Sequence, residues 1–148
     1  MKFYTLALKE ELKKQLDLYE IALLVQKYAI PIRKLEVNFE CIFTPDCSAD
    51  WKNISRIVLF LPEKIVYPHL DLLIDVFMDV NWEGAEEIMA YLCLVEKKKL
   101  ASAFERPVLQ AVQSKDEEWA YFMLQFMTCK KFGLKEHFKE LILVLECF

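Results

Sequence analysis

Between positions 68 and 95 the chain reads PHLDLLIDVFMDVNWEGAEEIMAYLCLV, and two amphipathic helices can be read from it directly. Leu70, Leu73, Ile74, Phe77 and Met78 recur at the i, i+3, i+4, i+7, i+8 spacing of a buried helical stripe. Pro68 suits the first turn of that helix, where its missing N–H costs nothing. Asn81 is expected to cap the next helix, with Trp82 and Glu83 in its first turn. Ala85, Ile88, Met89, Leu92 and Val95 then share one face.

The same punctuation recurs downstream. Pro107 is expected to open a short helix that buries Val108, Ala111 and Val112, and Ser114 with Glu117 has the spacing of a capping box. Trp119, Ala120, Met123, Leu124 and Met127 follow in helical register until Gly133 breaks the element. A last helix is expected to bury Leu134, Phe138, Leu141, Ile142, Leu145 and Phe148. A shift of 35 residues places Leu73 on Val108, Phe77 on Val112, Ala85 on Ala120 and Leu92 on Met127. A shift of 31 places Asp50-Trp51 on Asn81-Trp82. Paired helices at such periods predict an all-α fold of stacked antiparallel hairpins, a HEAT-like solenoid. Trp51, Trp82 and Trp119 fall at matching places and are expected to pack between hairpins.

Upstream, Leu8, Leu12, Leu16, Tyr19, Leu23 and Gln26 predict one helix over residues 6–28, ended by Ile30-Pro31. Leu35, Val37, Phe39, Cys41 and Phe43 alternate with Lys34, Glu36, Asn38, Glu40 and Ile42. That stretch reads as a helix or extended arm, or as a short strand without a partner. Residues 44–49 read as a loop. One domain is expected, with an N-terminal helix and arm over residues 1–48 and hairpin repeats over 49–148.

The segment from Leu72 to Met127 resembles an uncharacterised bacterial domain family of unknown function with HEAT-like hairpins. The residues that carry the resemblance are Asp79-Val80-Asn81-Trp82-x-x-Ala85, Leu92, Pro107-x-Leu109 and Asp116-x-x-Trp119. The family's usual proline after the Asn-Trp pair is replaced here by Glu83-Gly84. The resemblance spans well under half the chain and leaves the first 45 residues outside it. It implies an all-α fold and brings no activity, catalytic residue or ligand with it.

Composition narrows the function classes. Two glycines in 148 residues leave no Gly-rich phosphate loop. A net charge of −4 lacks the basic footprint of nucleic-acid binding. Lys97-Lys98-Lys99 and Lys130-Lys131 are read as helix ends, where cations complement the dipole. No run is long enough to span a membrane, and Met1–Leu8 is too short for a secretory leader, so a cytoplasmic protein is expected. Five cysteines form no C-x-x-C, and no metal or cofactor is expected. His69 and His137 have no nucleophile or carboxylate at a telling spacing, so no catalytic residue is assigned.

Two features remain as candidate sites. Glu83, Glu86 and Glu87, with Asp116, Glu117 and Glu118, gather acid at two helix starts and form a candidate rim for a basic partner. Carboxylates also favour such positions through the dipole alone. Leu143, Val144 and Cys147 give the last helix a second apolar face, expected to be covered by the N-terminal helix or by a second subunit. The expected function is therefore a non-catalytic, helical protein-interaction module, for example an acidic inhibitor or immunity-type partner of another bacterial protein. The alternatives are a small helical hydrolase with a carboxylate-lined groove and a nucleic-acid scaffold, which the charge disfavours.

Overall fold

The computed structural model describes residues 2–148, with side chains from Phe3 onward. The chain is 73% helical, and no strand occurs among the described residues. The fold is all-α. Its α-helices are α1 (Lys2–Glu11), α2 (Leu18–Lys27), α3 (Ala29–Arg33), α4 (Phe39–Ile42), α5 (Trp51–Ile57), α6 (Glu63–Val66), α7 (Leu70–Ile74), α8 (Ala85–Cys93), α9 (Lys97–Ser114), α10 (Glu117–Thr128) and α11 (Lys139–Glu146). Short 3-10 turns join several of them, so that Tyr67–Met78 is helical throughout.

The buried apolar residues form one cluster that runs from Leu8 to Leu145. Two helices organise it. α5 packs against α2 on one side and α8 on the other, while α9 packs against α7, α10 and α11. Phe104 of α9 is the centre of an aromatic group, with ring centroids 6.0 Å from Phe77, 5.8 Å from Phe126 and 5.5 Å from Phe138. These contacts tie α9, α10 and the start of α11 into one unit.

Several expected boundaries move. Residues 6–28 are two helices, because Asp17 caps α2 by accepting from the Glu20 N–H at 2.7 Å while Glu20 reaches back to the Asp17 N–H at 3.2 Å. The break changes the helical phase, so Tyr19, Leu23 and Gln26 are exposed and Ile21 and Leu24 are buried instead. Pro31 lies in the first turn of α3, where it needs no N–H. Residues 35–43 are neither arm nor strand: Asn38 caps the short helix α4, and its Oδ1 accepts from the Cys41 N–H. Val37, Phe39, Ile42 and Phe43 are all buried around it.

Pro107 does not open a helix but lies inside α9, buried. Leu100, Phe104, Val108 and Ala111 keep their helical spacing straight across it, and burial of that stripe outweighs the lost backbone bond. α10 is capped by Asp116, which accepts from the Trp119 N–H at 3.0 Å, and not by Ser114, which ends α9. Lys97, Lys98 and Lys99 start α9 rather than end a helix, and the Glu96 carboxylate caps them. Gly84 rather than Asn81 is the cap of α8, with φ +98°. Asp79 instead accepts from the Asn81 N–H in a turn that precedes the helix. Phe148 lies beyond α11 and is exposed.

A docking groove between two helices

α9 and α11 leave a groove of about 510 Å³ between them. The α9 wall consists of Ala101, Glu105, Val108 and Leu109, at i, i+4, i+7 and i+8, with Val108 at its buried edge and Leu109 exposed. The opposite wall comes from Leu141 and Val144, with Glu136, His137, Lys139 and Glu140 at its mouth. Phe138 closes the floor and is held by Phe104, so the walls stand on a packed base. Leu109 is 55% exposed and Val144 41%, although both are large and apolar. Beside the groove Leu143 is 61% exposed, the largest exposure on α11 among the apolar residues.

The rim is acidic. Glu136 pairs with Lys139 at 3.0 Å, and that ammonium holds the Glu136 carboxyl below its usual range. Glu105 and Glu140 have no ion pair or hydrogen bond among the described residues. His137 is exposed and unbonded to either of them among the described residues. A general acid would need a carboxyl pushed up by burial, and the shift at Glu136 runs the other way.

The expected site residues fall in different places. Glu83 is not in a helical first turn: it precedes α8 and bridges to Lys52 of α5 at 3.0 Å. Glu86, Glu87, Glu117 and Glu118 are exposed at the starts of α8 and α10, and Asp116 is the α10 cap. None of the six lines the groove. Leu143, Val144 and Cys147 are exposed, and α11 packs on α9 and α10 with no covering by the N-terminal helix. Trp51 and Trp119 are buried as expected. Trp82 is half-buried and stacks on Trp51, with centroids 5.8 Å apart. The acids at the groove, Glu105, Glu136 and Glu140, escaped the sequence reading. Glu105 joins Glu136 and Glu140 only when α11 folds back on α9, and nothing in the local sequence marks that meeting.

A second cleft, of about 440 Å³, lies between the turn at Tyr67 and α9. Its arginine is already committed: Arg106 donates to Asp71 and Asp75, both at 2.8 Å, and to the Asp71 carbonyl at 2.9 Å. That network ties α7 to α9 and occupies the charges of this cleft.

A family model described as Domain of unknown function (DUF5071) matches residues 44–145. The chain belongs to this family. No curated protein and no solved structure matches it. The DUF5071 match takes in both walls of the groove and begins just after α4, so α1 to α4 precede it. No helix among the described residues is long and apolar enough to cross a membrane. No group of three His, Cys, Asp or Glu among them is arranged to hold a metal.

Proposed function

We propose that this DUF5071 protein is a non-catalytic protein-interaction module, built of HEAT-like hairpins, that takes an amphipathic helix in the groove between α9 and α11. What carries the reading is the groove itself. A large apolar side chain stands exposed on each wall, Leu109 on α9 and Val144 on α11, as the seat of an amphipathic helix requires. Sequential packing of α9 on α10 and of α10 on α11 supports the hairpin architecture. The occupant is basic along its flanks. Three carboxylates and one ammonium line the groove, and the ammonium is already paired.

Two labelled helical peptides with the same leucine stripe, one flanked by lysines and one by glutamates, test this by fluorescence anisotropy. The lysine-flanked peptide binds at least about tenfold more tightly at low salt, and the preference shrinks as salt is added. A Leu109→Asp/Val144→Asp variant that melts like the parent loses binding, because exposed positions carry little of the stability. Equal binding of both peptides, or an unaffected variant, overturns the reading.

A further inference from the structure

α2 has two apolar faces. Ile21 and Leu24 are buried and pack the helix toward α5. Tyr19 and Leu23, about 160° to 200° around the helix from Ile21, are 71% and 45% exposed. Leu16, in the turn before α2, extends the same side and is half-buried. Leu16, Glu20, Leu23 and Lys27 line one shallow cleft of about 340 Å³ together with Glu11 and Lys14. A helix with apolar residues on opposite faces sits between a core and a partner.

We propose that this outer face of α2 is a self-association surface, on which two copies pair through antiparallel α2 helices centred on Leu23. The charges choose the occupant. The α9–α11 groove is lined with excess acid, whereas the α2 cleft carries two carboxylates, Glu11 and Glu20, and two ammonium groups, Lys14 and Lys27. A surface with both signs in equal number complements a rotated copy of itself, and a two-fold interface requires that self-complementarity. Glu20 and Lys27 lie on the same flank, one to each side of Leu23. Reversing one helix over Leu23 therefore sets Glu20 of each copy toward Lys27 of the other. Lys27, which bonds Glu11 at 3.0 Å within its own chain, is then shared between two carboxylates. A helix of ten residues is about 15 Å long, so the pair belongs to the small, micromolar class of interface.

Sedimentation velocity of the full chain, up to roughly 0.1 mM, tests the pairing, because interfaces of this size dissociate in the micromolar range. The parent forms a reversible dimer that weakens with salt. Leu23→Glu is monomeric throughout while its CD melt stays with the parent. Glu20→Gln keeps the side-chain bond to the Asp17 N–H and removes only the charge, and it weakens the dimer several-fold. Lys27→Glu is monomeric as well, and the double variant Glu20→Lys/Lys27→Glu recovers the dimer by exchanging the signs. A monomeric parent at the highest concentration, or a dimer that survives Leu23→Glu, overturns the proposal. So does a Lys27→Glu defect that the double variant fails to relieve while its melt matches the single variant. The peptide experiment on the groove reads independently of all these outcomes.

Discussion

Gly84 shows how one residue can fix the meeting of two helices. Its φ of +98° is a left-handed conformation that L side chains rarely adopt. A Cβ there would lie 2.5 Å from the Trp51 carbonyl oxygen and 2.9 Å from Ser55 Oγ. The turn at Gly84 thus lies directly on α5, and Trp82, two residues earlier, stacks on Trp51. Gly84→Ala forces both a strained backbone and a retreat of α5. It is expected to cost about 3 kcal/mol or more in urea unfolding. A midpoint within about 0.5 kcal/mol of the parent would mean that α5 and the turn separate freely. The repeated Asn/Asp-Trp pattern marks Trp51 and Trp82 as packing residues but not as partners of each other. Asn81 has the credentials of a cap, and the left-handed φ together with the close approach of Trp51 explains why the glycine holds that position.

At the scale of elements, the apolar stripes were legible and the punctuation was not. The buried faces of α8 and α10 follow directly from residue spacing, because burial of a stripe is the largest local term. At Pro107 the stripe of Leu100, Phe104, Val108 and Ala111 runs straight through and overrides proline as a helix start. At Asp17 the capping pair of Asp and Glu, three apart, starts a new helix inside an apparently unbroken period. The α7–α9 tie was invisible for another reason: Arg106 is 35 residues from Asp71 and 31 from Asp75, and nothing local marks it as their partner.

That tie makes a prediction about pH. Burial pushes the Asp75 carboxyl up, and the opposing pull of Arg106 does not cancel it. A carboxyl raised in the folded state binds its proton more tightly there than when unfolded. The parent therefore gains stability relative to Asp75→Asn as pH falls from neutral through the titration of Asp75, until the unfolded carboxyl is protonated too. Asp46 has the opposite sign, because hydrogen bonds from Lys13 and Lys9 hold its carboxyl below the usual range. Its contribution is present above the ordinary carboxylate range and fades as pH falls through the lowered value. Urea midpoints from pH 7 to about 3, spanning the ordinary carboxylate pKa, should show the two parent-minus-variant differences sloping in opposite directions. Parallel slopes would contradict the burial of Asp75.

At the scale of the molecule, the question is how the segment ahead of the DUF5071 match is held to it. The carbonyls of the turn between α1 and α2 have no partner within a helix and need donors. α5 supplies them. Asn53, buried on α5, donates from Nδ2 to the Leu12 and Lys14 carbonyls, both at 2.7 Å. One turn on, Arg56 Nη1 donates to the Leu16 carbonyl at 2.5 Å. The α1–α2 turn is thus fastened by side chains from within the family match, and α2 is set against α5 with its second apolar face outward. Nothing in the local sequence announces Asn53, since a lone Asn in a helix is ordinarily a solvated residue. Asn53→Ala leaves two carbonyls without their donor, the Leu12 carbonyl in a buried site. The expected cost is about 1–3 kcal/mol in urea unfolding. Amide exchange should locate the loss: protection falls along α1 and α2 while α9, α10 and α11 keep theirs, because the aromatic group around Phe104 does not depend on the tether. Uniform loss of protection across both regions would instead make the chain one indivisible folding unit, with Asn53 only one contributor among many.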